Sequence, residues 1–230
     1  MKTRMNQGFT LIELLVVITI IAILASLAVP TFGRIQERGN ITKGINNCRQ
    51  IITAQRLYSS DHGGNYSDND KDDVPEDANT AFRVLFKEGI LDNEMIFGCP
   101  VSRFVPDGDI GASDPEKAAA VGSGENHWMM TKGLSDSAGG SIPFIYESAT
   151  NGEWDPTWDA DKKGTTTKGR AWSNGIIIGM NDSSVAVQPL SAKTGQVPLK
   201  ELGGGKNLFT QNDGTSGSSW EVLDVLGGGS

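Results

Sequence analysis

Hydrophobic and polar positions fall into three regimes along the chain. From Phe9 to Val29 the positions are almost all apolar, with Glu13 the one charge among them. As a helix this run rises roughly 30 Å, which matches the hydrocarbon core of a bilayer and exceeds the apolar region of a secretory signal. Beyond Pro30 the period changes. Ile41, Ile45, Cys48 and Ile52 recur at helical spacing and line one face, while Arg49, Gln50 and Arg56 take the other sides. The two patterns predict one long helix, transmembrane in its first half and amphipathic in its second, ending near residues 58 to 60. Pro30, Gly33, Gly39 and Gly44 are its weak points.

In the third regime, past residue 60, short apolar runs alternate with turn residues. Phe82, Leu85, Phe86 and Ile90 mark a second short helix, stopped by Gly89 and carrying Lys87 at its negative end. "SIPFIYES" from Ser141 reads as a strand. "GIIIGMNDSSVAVQPL" places Asn181, Asp182 and Ser183 between an apolar run and the alternating Val185 and Val187, which predicts a hairpin. The last forty residues, with Gly203 to Gly205 and Gly227 to Gly229, read as strands and loops. The expected class is α+β: a long N-terminal helix packed on a small antiparallel β-sheet with long loops.

Composition narrows the chemistry. The 230 residues are 37% hydrophobic and 21% charged, enough for one folded domain and an appendage. The net charge of −8 repels phosphates, and Lys162, Lys163, Lys168 and Arg170 are interleaved with Asp159 and Asp161, so no nucleic acid partner is expected. Lys2 and Arg4 precede the apolar run, which keeps the leader cytoplasmic and sends the bulk of the chain across the membrane. In that oxidising location Cys48 and Cys99 can close a disulfide worth about 4 kcal/mol on the chain-entropy estimate; the alternative is two buried free thiols.

Nothing catalytic assembles. His62 and His127 are the two histidines, too few for a His-rich zinc site or a conventional triad. Ser173 in "AWSNG" lacks the first glycine of a nucleophile elbow, and Gly203 to Lys206 lacks phosphate-loop spacing. No enzyme is expected. Asp68, Asp70 and Asp72 alternate as in the first half of an EF-hand, but Asp73 stands at the turn glycine and Asn79 at the bidentate glutamate. The EF-hand fails. The abundant oxygen ligands of this acidic loop leave room for a looser calcium site, and otherwise no cofactor is expected.

Glu13 costs a few kcal/mol if left unpaired near a bilayer centre, although an acid suits the positive end of a helix. Gly8, Phe9, Thr10, Leu11, Ile12, Glu13 and Leu14 resemble the G-F-T-L-I-E-L signature of type IV pilin-like prepilins, which include the type II secretion pseudopilins. The resemblance implies a pilin-like fold, cleavage between Gly8 and Phe9 by a prepilin peptidase, and N-methylation of Phe9. It also implies pairing of Glu13 with the N-terminus of an adjacent subunit, and a helix break at Pro30. Other copies of the chain, other pilin-like subunits and the inner-membrane assembly machinery follow as partners.

The implied organisation is a leader at 1–8, a transmembrane and filament-core helix at 9–30, an amphipathic helical half at 31–60 and a loop-rich domain at 61–230. The implied location is the bacterial inner membrane, single-pass, with the globular domain in the periplasm, then a periplasmic or extracellular filament. "IFGCP" resembles the F-x-C-P turn of a pseudopilin-like subgroup, whose late hairpin usually turns on Asp-Gly; here Asp182-Ser183 departs from it. Resemblance to major pseudopilins also raises the chance of calcium. The leading expectation is a structural filament subunit, most of all a pseudopilin. The alternative is a minor or tip protein that binds a ligand or secretion substrate through the long insertions at 111–170, with Trp154 and Trp158. Glu13 argues against the first-placed tip subunit, which typically lacks that acid.

Overall fold

A computed structural model describes residues 10–69, 74–161, 168–213 and 220–227, with backbone only for 27–31. It divides at Gly39/Asn40 into two compact units. Helix α1 (Leu11–Asp61) contributes to both. The expected break at Pro30 is not an end of the helix, because α1 is assigned without interruption across it. A proline removes a single N–H from the ladder, so a long helix loses one bond at that point.

In the first unit, α1 exposes its apolar side chains from Leu11 to Leu24, then Phe32 and Ile35. Among the described residues no helix is long and apolar enough to cross a membrane. The run of described side chains stops at Ser26, and those of 27–31 lie outside the description.

In the second unit, α1 buries the stripe read from the sequence: Ile41, Cys48 and Ile52 are buried and Ile45 packs on their cluster, joined by Ile51, Ala54 and Tyr58. The helix seats on a five-stranded antiparallel sheet built from β1 (Trp128–Lys132), β2 (Pro143–Glu147), β4 (Ile176–Met180), β5 (Val185–Gln188) and β7 (Glu221–Leu223), in the order β5-β4-β2-β1-β7. A second pair joins β3 (Trp158–Asp159) to β6 (Gln196–Val197).

Two glycines allow the close approach of helix and sheet. A Cβ on Gly179 of β4 would lie 2.2 Å from Ile52 Cδ1 and 2.8 Å from Cys48 Sγ; one on Gly44 of α1 would lie 2.5 Å from Ile177 Cδ1. The partners sit on opposite elements, so α1 and β4 interlock at both points.

Both faces of the sheet are covered, which is why β2 and β4 are buried along their whole length and β1 as far as Thr131. Ile177 and Met130 face α1, while Ile176, Ile178, Met129 and Tyr146 face a second core with Trp158 and Phe209 of α3 (Leu208–Gln211). Alternation fails once: a register shift between Pro143 and Ile145 turns both Phe144 and Ile145 toward α1. Helix α2 (Ala78–Lys87) packs in the first of these cores. Asp77 caps it by accepting from Thr80 N at 2.8 Å, and Gly89, at φ +67°, ends it.

The hairpin turn is fastened to α1. Ser183 occupies the left-handed region at φ +69°, where glycine is favoured, and its Oγ accepts from Arg56 Nε at 2.7 Å. Arg56 also donates through Nη2 to Asn181 O, and Tyr66 Oη donates to Asn181 Oδ1 at 2.8 Å. The Asp182-Ser183 departure thus keeps a glycine-like backbone and ties it down with an arginine.

Candidate functional site at the head of the long helix

Helix α1 starts at Leu11, so Thr10 is its N-cap and Glu13 its third residue. Glu13 N donates to Thr10 Oγ1 at 3.3 Å; in return Thr10 N and Thr10 Oγ1 donate to Glu13 Oε2 at 2.9 and 2.8 Å. This reciprocal pattern is a capping box. It satisfies two backbone N–H groups that a helix start leaves open, and it explains why an acid is tolerated at the front of an apolar rod. The T-x-x-E spacing of Thr10 and Glu13 carries that signal in the sequence.

The box also orients the carboxylate. Both Thr10 donors land on Oε2, and Oε1 accepts no hydrogen bond from the described residues. The two other polar side chains of the described apolar stretch bond back to their own helix: Thr19 Oγ1 to Leu15 O at 2.7 Å and Ser26 Oγ to Ile23 O at 2.8 Å. Glu13 Oε1 is therefore the acceptor this surface presents outward. Around it Leu11 and Ile12 are 87% and 74% exposed, so the helix head is apolar surface with one ionic acceptor.

The remaining sequence candidates separate. Gly8 and Phe9, and Asp70 and Asp72, lie outside the described residues. Asp68 is buried and aims Oδ2 at Gly133 N, 2.5 Å away; burial holds its carboxyl above the usual range. Among the described residues it joins no group of three or more candidate metal ligands. The expected disulfide is corrected: Cys48 and Cys99 are free, buried thiols. Each is turned to a different acceptor, Cys48 Sγ to Ile145 O at 3.6 Å and Cys99 Sγ to Glu147 Oε1 at 3.5 Å. Trp158 is core and Trp154 packs edge-on against Phe209.

Residues 3–29 match the prokaryotic N-terminal methylation motif. The type IV major pilin protein PilA of Myxococcus xanthus is 32% identical over 144 residues, 56% of this chain and 65% of that protein. The type II secretion system core protein G of Aeromonas hydrophila is 37% identical over 62 residues, 27% of this chain and 43% of that protein. The type IV wide pilus major component PilA4 of Thermus thermophilus is 41% identical over 59 residues, 26% of this chain and 45% of that protein. The chain thus spans just under two thirds of the first relative's length and less than half of the other two. No solved structure matches. The chain thus carries a prepilin-type N-terminal methylation motif and is similar to proteins named as pilins and type II secretion core proteins.

Proposed function

We propose that this chain is a structural subunit of a type IV pilus-like filament, namely a type II secretion pseudopilin. A prepilin peptidase cuts it between Gly8 and Phe9, Phe9 is N-methylated, and the subunit waits in the inner membrane as a single-pass protein with its domain in the periplasm. The filament then forms by bundling of the exposed apolar face of α1, which supplies most of the cohesion. The chain performs no catalysis in this reading; binding is its chemistry.

The observation that carries the reading is the capping box with its free oxygen. Oε2 is committed to Thr10, so an incoming ammonium from the Phe9 of a neighbour meets Oε1 without dismantling the helix start. At about 4 Å and an effective dielectric near 20 that pair gains about 4 kcal/mol before desolvation is subtracted. A helix seated out of register leaves the same charge unpaired in an apolar bundle, so the pair sets register more than cohesion.

The 144-residue match to a major pilin favours a second reading, a surface pilus subunit. Isolated fibres test both. The proposal expects the chain as the dominant component, starting at a methylated Phe9 by mass spectrometry, in short fibres that depend on a secretion apparatus. Long surface fibres of the same chain support the second reading, and an intact Met1 in assembled material contradicts both.

A further inference from the structure

The second unit holds a buried constellation that the filament reading leaves unused. Cys99 follows the 3-10 turn Glu94–Phe97, His127 immediately precedes β1, and Glu147 ends β2. They are 4%, 0% and 0% exposed, and their ligand atoms all lie within 4.8 Å of one another. We propose that Cys99, His127 and Glu147 form a structural site for a zinc-class divalent ion, bound through Sγ, Nε2 and Oε1.

The spacing fits that ion. His127 Nε2 lies 3.4 Å from Glu147 Oε1, and Cys99 Sγ lies 3.5 Å from the same oxygen. Bonds of about 2.0–2.3 Å at tetrahedral angles put neighbouring ligand atoms roughly 3.3–3.6 Å apart. Despite its proximity to Glu147, His127 Nε2 has no hydrogen-bond partner, so a fully buried ring nitrogen is aimed into the cluster unsatisfied. A buried polar atom of this kind is costly unless something fills its lone pair.

The surroundings are those of a metal's outer shell. His127 Nδ1 faces Ser148 Oγ at 3.3 Å; with the proton on Nδ1, Nε2 is a free donor atom toward the ion. Trp172 Nε1 donates to Glu147 Oε1 at 2.8 Å and Ile177 N to Oε2 at 2.8 Å, which fixes the carboxylate and leaves Oε1 a second lone pair. Backbone bonds lock the three segments together: His127 N donates to Phe97 O at 2.9 Å and Ser148 N to His127 O at 2.8 Å.

Chemistry selects the ion. A thiolate and a carboxylate carry two negative charges into a core, which a divalent cation balances, while sulfur and imidazole favour the zinc class over calcium or magnesium. The Cys99 proton leaves to solvent on binding. With the ligands buried, the ion enters as the domain folds.

The test uses the full chain in detergent micelles, unfolded in chelator and refolded with zinc, with cobalt(II), or without metal. Plasma mass spectrometry is expected to find about one zinc per chain, as a single three-ligand site requires. The cobalt form is expected to show sulfur-to-cobalt charge-transfer absorption. Cys99→Ala and His127→Gln should lose the bound metal, with circular dichroism reporting whether each folds. The wild-type readouts stand even where a variant fails to fold. Folded wild type without stoichiometric zinc and without the cobalt band overturns the proposal, as does full zinc occupancy in a folded Cys99→Ala, His127→Gln double variant.

Discussion

Gly179→Ala tests the seat of α1 on the sheet. The new methyl carbon would lie 2.2 Å from Ile52 Cδ1, 2.8 Å from Cys48 Sγ and 3.3 Å from Ile145 O. Ile52 Cδ1 is the tip of a flexible side chain and can withdraw; Cys48 Sγ, on a short side chain, and the Ile145 carbonyl cannot withdraw far. Overpacking of this kind costs about 1–3 kcal/mol. Ile52→Val alone removes a buried methyl and costs about 0.5–1.5 kcal/mol. Combined with Gly179→Ala it opens the space that the alanine needs, so the double variant should be more stable than the sum by about 1 kcal/mol. Urea unfolding of the full chain in micelles, followed through the fluorescence of its five tryptophans, measures all four corners of the cycle. Thermal midpoints should move by about 2–4 °C per kcal/mol. If the two substitutions add to within about 0.5 kcal/mol, Ile52 and Gly179 are not in contact and the interlock is wrong.

Further outcomes follow from particular contacts. Arg56→Ala removes both donors from the β4–β5 turn, so the domain should lose about 1–3 kcal/mol and the Ser184 and Met180 amides should exchange faster; unchanged exchange contradicts the fastening role. Asp68 holds its proton to higher pH when folded than when unfolded, because burial disfavours its charge. The folded state therefore binds the extra proton, and this group's contribution to stability falls as pH rises from about 4 toward the raised value. Asp68→Asn should flatten that part of the stability-versus-pH curve, and an unaltered slope would refute the assignment.

Much of the architecture was legible because it rests on periodicity. The Ile41, Ile45, Cys48 and Ile52 stripe, the short helix around Phe82 and Phe86, and the hairpin around Asn181 are local patterns, and local patterns survive tertiary context. The exceptions have physical causes. The shift at Pro143–Ile145 places two successive residues on one face, which a period-two reading excludes. Pro30 is a weak point of the long helix by its missing N–H, and α1 nevertheless continues across it to Asp61. Cys48 and Cys99 are a plausible pair by count and compartment, yet their thiols turn to different acceptors. At the helix head the motif was plain, while the T-x-x-E cap hidden inside it required reading Thr10 and Glu13 together. The Cys99, His127 and Glu147 cluster could not be read from spacing, since long loops and sheet pairing bring it together.

Glu13→Gln isolates the central claim. Glutamine keeps the side-chain acceptor that Thr10 needs and can serve in a capping box, so the helix start and the leader cut should survive, but the charge proposed to pair with a neighbour's ammonium is gone. The decisive measurement is the yield of sedimentable fibre from Glu13→Gln beside Glu13→Ala and wild type, with processing of each chain checked by mass. The account predicts full processing and little fibre from both variants; wild-type fibre yield from Glu13→Gln would show that the acid serves only as a cap.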